Sequence, residues 1–275
     1  RRSLVVPLDG FVADGWSDVA DALAKNIDNR DDVGAGVSVF HKGKCVVDIA
    51  GGYFDKEATK PYTLDTLQLV FSTTKGVVAT AVAMCVERGL LSYEEPVALF
   101  WPEFAAHGKE HVTVAQLLSH QAGLYTVEGE LSFEELLDWN TMVARLADTA
   151  PLFPVGSTHG YHAVTFGWLA GHLVRLVDGR SIGRFIREEI ANPMGGEIYV
   201  GLPEHYEPRV SPINIGWPRS ATDAPASPPA QLPNKHLANA LSLNGALNVK
   251  GGFNRQDLHA AEVPGANGIA NARSL

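Results

Sequence analysis

Apolar residues recur four apart at Val19, Leu23 and Ile27, so positions 18–29 are predicted to form an amphipathic helix with one covered side. The period then changes to two. Positions 37–41 and 45–49 alternate apolar and polar residues around a Lys42-Gly43-Lys44 turn and end at Gly51-Gly52, which predicts a β-hairpin with one covered face. A third short strand is predicted over 67–71. Positions 72–90 are apolar nearly all round (Val77, Val78, Ala81, Val82, Cys85, Val86), the pattern of a helix buried between layers, with Gly89 placed to stop it. Further helices are expected at 113–119, 133–138, 142–147, 164–177, 182–191 and 236–243. Prolines 203, 208, 212, 218, 225, 228, 229 and 233 punctuate a stretch without periodicity, expected to be a long loop that shapes substrate choice. The pattern as a whole is α+β, a small antiparallel sheet with an inserted helical block. Its sections run 1–71 (helix and strands), 72–200 (buried helix and helical block), 201–235 (Pro-rich loop) and 236–275 (return toward the sheet).

Composition narrows the function classes. The chain has 275 residues with a formal net charge of -9, and its Lys and Arg are scattered, which excludes the basic stripe a nucleic-acid binder needs. The densest group, Arg175, Arg180, Arg184 and Arg187, has helical spacing and reads as a solvated face. Two cysteines, Cys45 and Cys85, do not make a disulfide framework, and both sit in apolar runs, so a reduced, cytoplasmic setting is expected. No apolar run approaches the roughly 20 residues of a membrane span. The stretch Arg1-Arg2-Ser3-Leu4-Val5-Val6-Pro7 lacks the apolar core of an intact signal peptide, and the missing initiator Met suggests a processed start.

The chemistry concentrates at Ser72-Thr73-Thr74-Lys75, an S-x-x-K motif. Such a motif is common alone, but this one lies where an apolar strand-like run (Leu69-Val70-Phe71) enters a buried helix. Free N–H groups and the helix dipole there favour a serine alkoxide and an oxyanion. Three residues on, Lys75 lies one turn along on the same face, and a desolvated lysine can give up its proton and act as a base.

The segment Leu69-Val70-Phe71-Ser72-Thr73-Thr74-Lys75-Gly76 resembles the nucleophile segment of the serine β-lactamase and D-alanyl-D-alanine peptidase superfamily. Gly89-Leu90-Leu91-Ser92-Tyr93-Glu94-Glu95-Pro96-Val97 is similar to the turn closing its nucleophile helix. The run from Val112 to Leu124, with Leu117-Leu118-Ser119-His120-Gln121-Ala122-Gly123-Leu124 at its core, is similar to a segment typical of the class C and esterase branch. Pro154-Val155-Gly156-Ser157 followed by Tyr161-His162-Ala163 resembles the segment of the Y-x-N motif. The resemblance covers nearly the whole chain and implies a β-lactamase/transpeptidase-like fold. It also implies that Ser72 forms an acyl-enzyme, Lys75 helps to take its proton, and Tyr161 relays that proton to the leaving alcohol and later activates water. No metal or other cofactor is implied. His162 and Ala163 are expected on the substrate side of the site.

Two departures shape the expected function. Ala163 stands where β-lactamases commonly carry Asn; a methyl cannot hydrogen-bond a substrate amide, which favours small short-acyl esters and a carboxylesterase. The alternatives are a β-lactamase or D-amino-acid peptidase, and a non-catalytic scaffold. The family's third motif lies on a strand near the C-terminus. The run from Val263 to Leu275 resembles what precedes that strand, and Lys250-Gly251-Gly252 resembles the motif only superficially, upstream of it. The C-terminal strands are therefore expected to be missing here, with a C-terminal fragment or second chain as the partner that completes the sheet. A G-x-S-x-G elbow, H-E-x-x-H, P-loop and G-x-G-x-x-G are absent from the sequence; His107 and His111 lack the partners of a zinc site.

Overall fold

The computed structural model describes residues 8–29, 32–213 and 235–275. The elements run β1 (Asp9–Val12), α1 (Ser17–Asp28), β2 (Gly34–His41), β3 (Lys44–Gly52), β4 (Leu67–Leu69), α2 (Thr73–Glu87), α3 (Val114–Leu118), α4 (Phe133–Leu137) and α5 (Trp139–Ala147). They continue with α6 (Phe166–Asp178), α7 (Ile182–Phe185), β5 (Ile198–Tyr199), β6 (Val210–Ser211), α8 (Lys235–Ser242), α9 (Gln256–Ala260) and β7 (Ile269–Ala270). Of the Pro-rich stretch, Pro218, Pro225, Pro228, Pro229 and Pro233 lie outside the described residues.

The hairpin forms as its alternation requires, with Val37 opposite Ile49 and Val39 opposite Val47. Val47 and Ile49 are buried against Leu23 and Ile27 of α1, so the period-four helix and the period-two strand cover one another. An outer strand, β1, adds antiparallel to β3 and makes the order β1-β3-β2, with β2 at the edge among the described residues. A second, mixed sheet has the order β5-β7-β4-β6, in which β4 runs parallel to β6 and antiparallel to β7. The antiparallel sheet expected from the hairpin is thus joined by a separate mixed one. Three of its strands have two residues each, too short for alternation to show.

Helix α2 lies in the middle of the molecule, as its all-round apolar pattern demands. Val78, Ala81, Val82 and Cys85 are buried in one core with Trp168, Leu169, Leu173 and Val174 of α6 and with Leu117, Leu136, Met142 and Leu146. Each buried Val, Leu or Met among them stabilises the fold by roughly 1.5–3 kcal/mol. Local chemistry sets the helix ends. Thr113 with Gln116, and Ser132 with Glu135, form capping boxes at α3 and α4; Asp138 caps α5; Gly179, at φ 90°, stops α6. The helix expected over 182–191 starts as α7 and continues as one π turn, Ile186–Ala191.

One buried charge ties the block together. Lys109 is 0% exposed, and its ammonium donates to the carbonyls of Ala106 (2.7 Å), Ala147 (2.9 Å) and Thr149 (2.7 Å). The Ala147 carbonyl ends α5, where the helix dipole favours a cation. Burial lowers the lysine's pKa and Asp148 partly opposes this. Lys109→Met should leave three inward carbonyls unpaired and cost about 3 kcal/mol in urea unfolding; a loss under about 1 kcal/mol would show that water replaces the ammonium.

Candidate active site

Strand β4 runs into a turn that puts Phe71 in the left-handed region, at φ 44°. A bulky residue there is strained and is held by its surroundings; the Thr74 hydroxyl donates to the Phe71 carbonyl at 2.5 Å. Ser72 then heads α2 but does not cap the helix with its side chain, so its exposed hydroxyl is left for other partners. The amides of Thr73, Thr74 and Lys75 turn back to the carbonyls of Val70, Phe71 and Ser72. The Ser72 N–H meets no described acceptor and stands at the positive end of α2, in place to donate to an oxyanion.

Lys75 reaches back from the first turn. Its Nζ lies 3.0 Å from Ser72 Oγ, 2.6 Å from the Ala163 carbonyl and 2.7 Å from the Gly265 carbonyl. Burial lowers its pKa, opposed by its interaction with Tyr161. The carbonyls accept two N–H bonds and can offer none. A neutral Lys75 therefore has its two hydrogens committed and its lone pair directed at Ser72 Oγ, the orientation a general base requires.

Tyr161 comes from the turn before α6 and donates its hydroxyl to Ser72 Oγ at 2.8 Å. The residue is 42% exposed, with Lys75 Nζ 4.9 Å from the ring centre. Three residues expected to act together, separated by up to 89 positions, therefore meet on one oxygen.

His162 and Ala163 are placed differently from the expectation. His162 is buried: its Nε2 accepts from the Leu124 amide at 3.0 Å and its Nδ1 donates to the Gly160 carbonyl at 2.6 Å. With both ring nitrogens on backbone, it braces the turn that carries Tyr161 and leaves neither nitrogen free to meet a substrate. The Ala163 methyl is also buried, and the residue serves the site through its carbonyl on Lys75. Lys250 lies exposed in the turn before Gly251, at φ 88°, and makes no described contact with Ser72.

His120, which the resemblance marks as structural, lies close to these groups. This residue sits at φ 63° just past α3, accepts the His162 amide on Nδ1 at 3.1 Å and packs edge-on against the Tyr161 ring, centroids 5.0 Å apart. Its Nε2 therefore carries the hydrogen. The run from Val263 to Leu275 carried no expected role in the site, yet its Val263–Gly268 loop brings in the Gly265 carbonyl; its Gly/Asn content was the only sequence signal.

Burial first, then neighbouring charge, holds both histidines neutral: His162 falls to about 3 and His120 to about 4. In the unfolded chain each titrates near 6.5. Their contribution to stability is thus complete above about pH 6.5 and lost as pH falls toward the folded values, because the unfolded chain binds the protons first. Unfolding free energy should drop between pH 6.5 and 4 by on the order of a few kcal/mol, and His162→Asn should flatten that slope. An identical slope in the variant would show that other groups set it.

Among the described residues no cluster of His, Cys, Asp or Glu could hold a metal. The Beta-lactamase family matches residues 23–275. The chain is 35% identical over 265 residues to "Esterase/beta-lactamase LipL" of Mycobacterium tuberculosis, a match covering 94% of this chain and 60% of that protein. It superposes on a penicillin-binding protein homologue from Caulobacter crescentus with a TM-score of 0.85 at 37% identity, covering 96% of this chain and 68% of that one. A family VIII carboxylesterase gives a TM-score of 0.84, also at 37% identity, with 96% and 68% coverage. The chain thus spans about 60% of the length of LipL. The matched residues take in the Ser72 turn, the Tyr161 turn and the Gly265 loop, and by that match the chain belongs to the Beta-lactamase family.

Proposed function

We propose that this chain is a serine hydrolase acting on small carboxylic esters. One observation carries the reading: Ser72 Oγ lies within hydrogen-bond reach of both Lys75 Nζ, at 3.0 Å, and the Tyr161 hydroxyl, at 2.8 Å. As Oγ attacks the ester carbonyl, its proton passes to neutral Lys75, and the oxyanion forms against the Ser72 N–H. When the intermediate collapses, Tyr161 gives its proton to the departing alkoxide, and the resulting phenolate is held by the Lys75 ammonium. In the second half the phenolate takes a proton from water, the hydroxide attacks the acyl group, and Ser72 Oγ leaves with the proton from Lys75. Every group returns to its starting state.

An ester is favoured over an amide substrate because Ala163 offers only its carbonyl, which Lys75 already occupies, so no side-chain amide is present there. The relatives' names, "Esterase/beta-lactamase" and "family VIII carboxylesterase", support the same class. The first name also keeps β-lactam hydrolysis as the second reading. Cys45 and Cys85 are free thiols, which suits a reducing, cytoplasmic location, and no described helix is long and apolar enough to cross a membrane.

We also propose that a further strand, from a C-terminal segment or a second chain, adds to the open edge of β2. A groove of about 410 Å³ is lined by Gly34, Ala35 and Gly36 of β2 together with Ala270 and Ala272. If the strand adds, the outward amides of Gly34–His41 should exchange hydrogen at least about tenfold more slowly in the complete assembly than in the isolated chain; equal rates would exclude it.

A serine-reactive phosphonate should label Ser72, and Ser72→Ala should abolish both the adduct and p-nitrophenyl butyrate hydrolysis. Tyr161→Phe should lower turnover by roughly 10²–10⁴-fold while leaving the adduct site unchanged. Full turnover in Ser72→Ala would overturn the assignment. Faster hydrolysis of a cephalosporin than of the ester would favour the second reading.

A further inference from the structure

We infer that Asn267 and Thr74 are positioning residues for Lys75: together they hold the Val263–Gly268 loop so that the Gly265 carbonyl accepts one N–H hydrogen bond from the lysine. The inference rests on the hydrolase reading above for its meaning, and on the following geometry for its content.

Asn267 is 0% exposed, and its side chain is fully occupied by backbone. Its Oδ1 accepts the Val263 amide at 3.1 Å, and its Nδ2 donates to the carbonyls of Leu258 (2.8 Å) and Ala261 (2.7 Å). These bonds close the loop on itself, helped by the amides of Ala266 and Asn267 on the Val263 carbonyl. Thr74 pins the other end. Its Oγ1 accepts the Gly268 amide at 2.9 Å while donating to the Phe71 carbonyl, and the Gly268 carbonyl accepts the Val70 amide at 2.9 Å. One hydroxyl thus joins the strained nucleophile turn to the loop that seats the base.

The fit leaves no slack. A Cβ on Gly265 would collide with the Val164 carbonyl, and one on Gly268 would collide with the Thr74 hydroxyl. The loop is therefore pressed against the turn that carries Ala163, the other carbonyl on Lys75. Neither Asn267 nor Thr74 touches the reacting atoms. Both act by fixing where Lys75's lone pair points, and a displacement of an ångström at such a group costs on the order of 10²-fold in rate. The titratable groups that face Lys75 are Tyr161 and, behind it, His120.

The test compares the full chain with Asn267→Ala, Asn267→Asp, Thr74→Val and Thr74→Ser in two assays across pH. One is the rate of phosphonate labelling at Ser72. The other is the reaction of the Lys75 amine with acetic anhydride, read by mass spectrometry. Asn267→Ala and Thr74→Val should lower the maximal labelling rate about 10–100-fold with unchanged half-saturation and unchanged final labelled fraction. The Lys75 midpoint should move down, because its ammonium form has lost an acceptor. Asn267→Asp should behave like Asn267→Ala above neutral pH, where its carboxylate faces two carbonyls and cannot donate. Thr74→Ser, which keeps the hydroxyl, should stay within about twofold of the parent. A merely structural role would lower the labelled fraction and leave rate and midpoint in place, which would overturn the inference. If Asn267→Ala does not fold, Thr74→Val decides alone. If the parent chain is not labelled at all, the hydrolase reading fails; the Lys75 midpoint still decides the positioning, and an unshifted midpoint in both variants overturns it.

Discussion

A lysine buried without a carboxylate partner is the constraint around which this molecule is arranged. Removing an ammonium from water is costly, and Lys75 is compensated by two backbone carbonyls, the Ser72 hydroxyl and the neighbouring Tyr161. Those acceptors come from the Ser72 turn, the turn before α6, and a loop 190 residues away from Lys75 in the chain. All three must be in place together, so the packing of α2 on α6 and the closure of the Val263–Gly268 loop are conditions for seating one cation.

Lys109 offers a comparison within the same chain. Both lysines are buried, both have lowered pKa values caused first by burial, and both lack an ion-pair partner within 4.0 Å among the described residues. All three N–H bonds of Lys109 end on carbonyls, which can never return a proton, so it serves as a fixed cross-link at the end of α5. At Lys75 one carbonyl is replaced by the Ser72 hydroxyl. The same solvation that makes one lysine structural gives the other a proton it can exchange.

The turn that carries Ser72 lies between two kinds of structure. On one side is the helical block with its continuous core, where capping side chains and apolar faces agree with one another. On the other is a sheet of two- and three-residue strands held by a handful of ladder bonds. The strained Phe71 at this junction projects Ser72 outward, and Phe253 packs edge-on against the Phe71 ring at 4.9 Å. Lys75 thus has packed structure behind it, while Ser72 faces outward.

By itself the sequence determined α1, the hairpin, the buried α2 and most of the helical block, because each follows from periodicity within a dozen residues. It also singled out Ser72, Lys75 and Tyr161, since an S-x-x-K motif at a helix start and a tyrosine in a matching segment are local patterns. The tertiary structure decided what periodicity cannot encode. β1 and the two-residue strands β5, β6 and β7 are too short to alternate, and they pair only because distant segments meet. His162 sits beside Tyr161 in the chain yet turns inward, because its ring nitrogens find the Leu124 amide and the Gly160 carbonyl. Ala163 and Gly265 matter through carbonyls, which every residue type carries, so no reading of side chains could distinguish them. Asn267 and Thr74 were hidden for the same reason: their partners are backbone groups, and a backbone group's place is known only once the chain has folded around it.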